Sequence, residues 1–214
     1  MSRTITRRLN LEDTKFEYPH NFHYKYRLID ALEEKNKVTI LNVLEKTFLD
    51  YIEGQEVWDF GGAGGLAYFI FKPKNVTWVV WEMPEVVDYM RTQEIDENIS
   101  FKYTQEILFP ETDKKIGLYS NGTINYLPNP LKFIKENLEN VEYMFLDGDY
   151  IGKETALVEQ ERVGPCWILG LNDLKKIFRD KFRTMYREEE GPMWEVNNTD
   201  VEVYHNFDIL AIRK

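Results

Sequence analysis

The sequence is poor in cysteine, in basic residues and in long apolar runs, and each shortage excludes a class of protein. Its one cysteine, Cys166, can form neither an internal disulfide nor a metal–thiolate cluster, and we expect its thiol to be buried by packing. No segment approaches the ~18 consecutive apolar residues of a membrane helix, and the basic N-terminus lacks the apolar core of a signal peptide. These features predict a cytoplasmic protein with no membrane insertion.

The charge balance is acidic, with 27 lysines and arginines against 37 aspartates and glutamates and a formal net charge of −10. Nucleic-acid binding requires a basic surface, so we expect no nucleic-acid partner. At 214 residues the chain is long enough to bury a substantial core. We expect an N-terminal arm and helical cap over residues 1–54, followed by one compact unit over residues 55–214.

Glycine is concentrated at one place, residues 57–65, which read V-W-D-F-G-G-A-G-G. A short apolar run meets an acid, and four glycines then occupy five positions. Glycines at the end of a strand let the backbone turn sharply and let a ligand approach closer than a Cβ would allow. A helix that follows such a turn points its N-terminal amides at that ligand. The cluster therefore predicts a site for a nucleotide-like cofactor.

Apolar runs typical of buried strands alternate with helical periodicity along the chain. We predict strands at 57–60, 77–81, 99–103, 116–119 and 141–146, and helices at 24–34, 40–52, 66–71, 131–138 and 171–182, with another helix beginning at Pro84. Residues 194–196 and 201–212 are predicted to close the chain as an antiparallel pair. The result is an α/β fold with a doubly wound, mostly parallel sheet and a closing antiparallel strand, in which ligands bind at the carboxyl ends of the strands.

Three cofactor patterns can be compared with the glycine cluster. A P-loop would need a G-K-[ST] ending, whereas this turn continues as G-G-L-A, so a nucleoside triphosphate is not expected. Gly62, Gly64 and Ala67 meet a looser form of the dinucleotide fingerprint, and that alternative stays open. The pattern D-x-G-x-[GA]-x-G fits better, through Asp59, Gly61, Ala63 and Gly65.

The last pattern resembles the first motif of the class I, Rossmann-like S-adenosylmethionine-dependent methyltransferases. The resemblance implies that the glycine turn packs against the methionine part of the cofactor, that Asp59 organises the turn, and that Glu82, ending the next strand, binds the ribose hydroxyls. A carboxylate can accept from both hydroxyls at once. The cofactor-binding residues expected here and at the neighbouring strand ends are Asp59, Gly61, Gly62, Ala63, Gly65, Glu82, Met83, Tyr103, Thr104, Ser120 and Asn121.

Segment 120–130, S-N-G-T-I-N-Y-L-P-N-P, resembles a narrower, uncharacterised methyltransferase family found with bacterial surface-polysaccharide genes. The D-F-G-G run, the acid and proline at Glu82 and Pro84, and the polar segment 158–165 resemble that family too. Asn129 stands where the family usually has an acid. The resemblance implies S-adenosylmethionine as the cofactor and a small polar acceptor, namely a sugar hydroxyl or nucleotide-linked sugar in polysaccharide biosynthesis.

Methyl transfer to a hydroxyl needs a general base, and several residues are candidates. Asp147 and Asp149 follow the fifth strand and are expected either to act as a base or hold a cation, or to cap a turn. Tyr126 is expected to face substrate or to pack beside Pro128. In the N-terminal arm, His23 is a further candidate base, beside His20. We assign no metal site.

Two functions other than methyl transfer stay open from the sequence. One is an NAD(P)-linked oxidoreductase, and the other is a methyltransferase fold kept as a non-catalytic binding protein. Glu159, Glu161 and Arg162 are expected either to hold a polar acceptor or to form an ion pair on a helix surface. The sequence also leaves open the choice between a monomer and a homodimer.

Overall fold

A seven-stranded sheet forms the centre of the described chain. The computed structural model describes residues 3–15, 33, 37, 39–93, 95, 98–103, 115–161, 163–188, 194–196, 200–204 and 207–214. The strands are β1 (Arg3–Arg8), β2 (Glu56–Phe60), β3 (Thr77–Glu82), β4 (Ile99–Tyr103), β5 (Ile116–Asn121), β6 (Tyr143–Asp147), β7 (Ile151–Gly152), β8 (Ala156–Gln160), β9 (Gly164–Gly170), β10 (Phe182–Glu188), β11 (Trp194–Val196) and β12 (Phe207–Arg213). The α-helices are α1 (Val43–Ile52), α2 (Leu66–Phe71), α3 (Pro84–Met90), α4 (Pro130–Asn137) and α5 (Leu171–Phe178), and short 3-10 helices cover Leu11–Asp13 and Ile124–Tyr126.

The central sheet has the strand order β10-β12-β6-β5-β2-β3-β4. Strands β6, β5, β2, β3 and β4 are parallel to their neighbours, and β12 lies antiparallel between β6 and β10. This order confirms the predicted doubly wound α/β fold with a closing antiparallel strand. Strands β2, β3 and β4 follow one another towards one edge of the sheet, whereas β5 lies on the other side of β2. The strand order therefore changes direction between β2 and β5, at the glycine turn, and ligands of such sheets bind at this switch point.

Helices cover both faces of this sheet, and each face has its own apolar core. The face under α1, α2 and α3 is aromatic: the ring of Phe48 in α1 lies 5.0–5.8 Å from those of Phe71, Tyr119, Tyr143 and Phe145. The face under α4 and α5 is packed by Trp58, Trp81 and aliphatic side chains. Buried aromatic surface of this size contributes much of the hydrophobic stabilisation of the sheet.

Local sequence explains where α1 begins, whereas α5 ends earlier than its sequence predicts. The Asn42 side chain accepts from the amides of Leu44 and Glu45, and the Glu45 carboxylate accepts from the Asn42 amide, which forms a capping box. Helix α5 ends at Phe178 rather than at the predicted residue 182, because Phe182 already begins β10. Phe182 lies four positions after Phe178, and this spacing imitates one more helical turn.

A second, smaller sheet has the order β11-β1-β8-β9-β7 and overturns the predicted closing hairpin. Strand β11 pairs in parallel with β1, with Arg3 opposite Trp194, whereas β12 pairs with β10 and β6. Glu159 and Glu161, for which a helix surface was one alternative, lie instead in β8 and in the turn after it, and β8 pairs in antiparallel fashion with β9. The helix predicted at 24–34 lies almost entirely outside the described residues, among which no helix is long and apolar enough to cross a membrane.

Candidate functional site

The glycine turn between β2 and α2 is folded so tightly that two of its glycines leave no room for a Cβ. Gly61 has φ +69°, its amide donates to the Trp81 carbonyl at 2.8 Å, and a Cβ there would lie 2.2 Å from the Thr123 side chain. A Cβ on Gly62 would lie 2.2 Å from the Asp59 carboxylate. The turn therefore packs directly onto the acid that precedes it.

Glu82 connects the end of β3 to the middle of the glycine turn. Its Oε1 accepts from the Ala63 amide at 3.2 Å, and its Oε2 accepts from the Met83 amide at 2.9 Å. Ala63 has φ +48°, in the left-handed region that disfavours residues with a Cβ, so the bond to Glu82 stabilises a strained position. Burial raises the pKa of Glu82, and the two amide hydrogen bonds oppose that rise.

Asp59 is 1% exposed and lies beneath the turn. Its Oδ2 accepts a hydrogen bond from the Trp78 indole at 3.0 Å. Burial raises the pKa of Asp59 to about 7; the Trp78 bond opposes this rise, while the charges of Glu82 and Asp147 add to it. A cation bound nearby would lower the pKa of Asp59 and favour its ionised form.

A second group of polar side chains lies where β5, β6 and β12 meet. Asp147 Oδ2 accepts from the Tyr119 hydroxyl at 2.5 Å and from Asn121 Nδ2 at 3.1 Å. Asp208 Oδ1 accepts from the Gly148 amide at 3.1 Å, and its Oδ2 lies 2.9 Å from Arg187. Burial, followed by the charge of Asp147, raises the pKa of Asp208 to about 6, and burial is also the largest cause that raises the pKa of Asp147.

Asp149 is 3% exposed, and neither of its carboxylate oxygens has a hydrogen-bond partner among the described residues. Burial raises the pKa of Asp149 well above its usual range, and the charge of Asp147 adds to the rise. Ser120 lies beside it and opposes the rise, although the two groups do not meet in hydrogen-bonding geometry. The buried Ser120 hydroxyl, too, has no partner in the described part of the chain. Two adjacent buried polar groups are thus left without partners, which native proteins tolerate chiefly at functional sites.

The structure brings together most of the residues that the sequence singled out. The glycine turn, Met83, Ser120, Asn121, Asp147 and Asp149 all lie at the carboxyl end of the central sheet. The backbone of Tyr103 lies opposite Glu82 at the same edge. The predictions for Thr104, His20, His23, Arg162 and the third histidine, His205, fall outside the described residues.

Other predicted residues have structural partners. The Tyr126 hydroxyl lies 2.8 Å from Gln160 Oε1 and 3.0 Å from the Tyr150 hydroxyl. Glu159 lies 3.5 Å from Arg7 of β1, as an ion pair on a strand. Cys166 is buried, as expected from its apolar surroundings. Among the described residues, no group of three or more histidine, cysteine, aspartate or glutamate side chains is arranged to hold a metal ion.

Sequence reasoning missed three residues of this region. Tyr119 and Asp208 lie in segments that the sequence predicts only as strands. Their hydrogen bonds to Asp147 and Gly148 depend on which strands pair, and the local sequence does not encode that pairing. Gln160 ends β8, where the polar surroundings E-Q-E-R concealed a strand. Neighbouring apolar residues, A-L-V, were the one local signal for it.

The fold is that of the Rossmann-like methyltransferases. The chain is similar to the N-terminal domain of EvdMO1 crystallised in the presence of SAH and D-fucose, with TM-score 0.56 and 11% identity over 92% of this chain and 100% of that one. It is also similar to an S-adenosylmethionine-dependent methyltransferase from Mesorhizobium loti, with TM-score 0.55 and 10% identity over 80% and 96%. A third is the magnesium protoporphyrin IX methyltransferase ChlM from Synechocystis with bound SAM, with TM-score 0.53 and 11% identity over 87% and 91%.

No protein-family model matches the sequence, and no curated protein matches it either. At identities near one residue in ten, these solved structures share the fold with this chain.

Proposed function

We propose that this protein transfers a methyl group from S-adenosylmethionine to a hydroxyl group of a small polar acceptor. The fold and the arrangement at the carboxyl end of its sheet support the cofactor. A sugar is the acceptor that the resemblance of segment 120–130 favours, and one protein of the same fold was crystallised in the presence of D-fucose.

The observation that carries the proposal is the connection between Glu82 and the glycine turn. A carboxylate has about four acceptor positions on its two oxygens. The amides of Ala63 and Met83 occupy one position on each oxygen, so each oxygen can still accept from one ribose hydroxyl. Those amide bonds also hold the carboxylate against the turn, where a nucleoside would lie.

The charge of the site favours S-adenosylmethionine over a nicotinamide dinucleotide. Asp59 and Glu82 are buried and Asp147 is half-buried at one edge of the sheet, and desolvation raises the pKa of each. The positive sulfonium and ammonium groups of S-adenosylmethionine would offset that unpaired acidity. The pyrophosphate of NAD(P) would bring further negative charge to the same edge, which like-charge repulsion disfavours.

Asp149 is the residue we assign to remove the proton from the acceptor. When bound, S-adenosylmethionine supplies an activated methyl group, whose C–S bond breaks as the new C–O bond forms, leaving a neutral thioether. The Asp149 carboxylate takes the proton that the acceptor hydroxyl loses. Burial raises the pKa of Asp149 above its usual range, which makes its carboxylate a stronger base than that of an exposed aspartate.

Isothermal titration calorimetry with S-adenosylhomocysteine tests the cofactor assignment. We expect the wild type to bind, and Glu82→Ala to bind at least tenfold more weakly because the ribose acceptor is lost and the turn is released. Glu56→Ala is the matched control, since Glu56 lies at the opposite end of the same sheet and bonds to the Trp58 indole at 2.6 Å. We expect this control to bind like the wild type.

The outcomes separate the candidate functions. Binding of NADH but not of S-adenosylhomocysteine by the wild type would replace the proposal with the oxidoreductase. Equal affinity in Glu82→Ala and the wild type would remove Glu82 from the cofactor site. Binding of the cofactor with no methyl transfer to any hydroxyl compound, and no effect of Asp149→Asn, would favour a non-catalytic binding protein.

A further inference from the structure

We propose that Gln160, Tyr126 and Tyr150 form a cluster that recognises the acceptor, and that this cluster takes an uncharged, hydroxyl-bearing small molecule. The inference rests on the methyl transfer proposed above and adds to it the residues that select the acceptor. We call these three residues the amide–tyrosine cluster.

The cluster contains a buried donor, the Gln160 side-chain nitrogen, for which the described residues provide no acceptor. Gln160 is 1% exposed; its Oε1 accepts from the Tyr126 hydroxyl at 2.8 Å, and its Nε2 has no partner among the described residues. Rotating the Gln160 side-chain amide by 180° would exchange its oxygen and nitrogen, and the oxygen would then have no partner among the described residues. A buried polar group without a partner destabilises the folded protein, so its presence here points to a ligand atom that completes the bond.

The cluster is connected through the backbone to the proposed base. Tyr126 ends the 3-10 helix that follows β5, and Tyr150 directly follows Asp149 in the chain. The Asn125 side chain clamps this junction: its Oδ1 accepts from the Tyr150 amide at 3.0 Å, and its Nδ2 donates to the carbonyls of Tyr150 and Trp167 at 3.2 and 2.7 Å. A ligand group that reached Gln160 would therefore be held at a defined position relative to Asp149.

The chemistry of the cluster favours an uncharged ligand. An amide and two phenols carry no formal charge at neutral pH, and they offer the mixture of donors and acceptors that hydroxyl groups use. Two basic residues of β1 pair with β8, and both contact acids. Arg7 contacts Glu159, whose side chain lies on the other face of that strand from Gln160, and Arg8 contacts Glu154 and Asp200. The half-buried ring of Tyr126 adds an apolar surface on which a sugar ring can pack.

Saturation-transfer NMR tests the inference on the whole chain, saturated with S-adenosylhomocysteine, with D-glucose, D-galactose, D-fucose and L-rhamnose as probes. We expect at least one of these sugars to bind the wild type. Gln160→Met keeps the shape of the side chain but removes its polar atoms, and we expect it to weaken sugar binding at least tenfold. The affinity for S-adenosylhomocysteine, measured by calorimetry, should stay within twofold, and the melting temperature should not fall.

Gln55→Met is the matched control. Gln55 also has a buried amide oxygen for which the described residues provide no partner, but it precedes β2 at the amino end of the sheet, and its Nε2 donates to the Tyr51 carbonyl. We expect this variant to bind the sugar like the wild type.

Each other outcome overturns a particular claim. A wild type that binds S-adenosylhomocysteine but none of the four sugars overturns the inference and leaves the proposed function intact. A wild type that does not bind S-adenosylhomocysteine overturns the proposed function and the inference with it. Unchanged sugar binding in Gln160→Met, or a joint loss of sugar binding, cofactor binding and thermal stability, assigns Gln160 a purely structural role.

Discussion

The carboxyl group of Asp59 lies beneath the glycine turn, nearly sealed from water, with the Trp78 indole as its hydrogen-bond donor. The charged groups that act on its pKa are both acids, Glu82 and Asp147. In the folded protein Asp59 therefore keeps its proton up to a pKa of about 7, whereas in the unfolded chain it loses that proton near its ordinary value of 3.8. Between these two pH values the folded state binds more protons, so its stability falls as the pH rises.

Asp59→Asn should remove this pH dependence. Asparagine keeps the shape and can still accept from Trp78 but does not titrate, so the variant should gain stability over the wild type as the pH rises from 5.5 towards 7. The gain should reach about 2 kcal/mol, at ~1.4 kcal/mol for each pH unit, and then level off. Urea denaturation at half-unit intervals from pH 5.5 to 8.5 measures it.

Asp180→Asn provides the control for this series, because the Asp180 side chain is 81% exposed and pairs with its neighbour Arg179. We expect a stability change within about 0.5 kcal/mol at every pH. A difference between Asp59→Asn and the wild type that does not vary with pH would show that Asp59 carries its charge in the folded state.

At the scale of the element, the turn between β2 and α2 depends on Gly62 for a different reason than on Gly65. A Cβ on Gly62 would collide with the Asp59 carboxylate, which its bond to Trp78 holds in place. Gly65 has φ +78°, but the nearest atom to a Cβ there would lie 3.5 Å away, so alanine meets backbone strain alone. Strain of that kind costs about 1–2 kcal/mol.

We therefore expect Gly62→Ala to weaken binding of S-adenosylhomocysteine at least tenfold and to destabilise the protein more than Gly65→Ala does. Calorimetry and urea denaturation measure the two effects. In an Asp59→Gly background most of the stability cost of Gly62→Ala should disappear, because the colliding group is gone. If the costs of the two changes simply add, the collision with Asp59 is not what requires glycine at position 62.

The same turn shows which elements can be predicted from the sequence. The run T-W-V-V-W predicts a buried strand, and β3 indeed extends over Thr77–Glu82 with every residue after Thr77 buried. Glycines after an apolar run predict the turn at β2, and the acid after the next run predicts Glu82 at the same edge. These signals are local, because each depends on residues within one strand and the loop that follows it.

Pairing between distant segments explains where prediction fails. Strand β11 has three residues and pairs with β1 almost the whole length of the chain away, so nothing near Trp194 indicates its partner. Residues 194–196, the polar segment after them and the apolar run that follows together have the pattern of a hairpin, so the sequence predicts the wrong partner for β11. The partners of Asp208 and Gln160 were missed for the same reason, since both depend on which strands become neighbours.

At the scale of the whole molecule, the two sheets meet at Asn125. This side chain is fully buried and makes three hydrogen bonds, all to backbone groups of the segments that carry β7 and β9. Its own 3-10 helix follows β5 of the central sheet. Asn125 therefore fixes how the smaller sheet, with the amide–tyrosine cluster, sits against the strand ends that carry Asp147 and Asp149.

Asn125→Leu should loosen that junction without unfolding the central sheet. Leucine fills the volume but leaves the Tyr150 amide and the carbonyls of Tyr150 and Trp167 without partners, which we expect to cost at least about 2 kcal/mol. Hydrogen exchange should accelerate at least tenfold in peptides covering residues 150–170, while peptides covering β3 keep their protection. Asn137→Leu is the matched control, because Asn137 is also buried but its side-chain amide donates to the Phe133 carbonyl within its own helix.

The pattern of exchange decides what holds the two sheets together. Acceleration confined to residues 150–170 means that the smaller sheet opens as a unit hinged on Asn125, and acceptor binding should then weaken while cofactor binding is preserved. Equal acceleration in β3 would mean that both sheets open together, so that the apolar contacts of Ile151 and Leu169 with the central core couple them more strongly than Asn125 does. In that case the position of the cluster relative to Asp149 is set by packing rather than by a single amide.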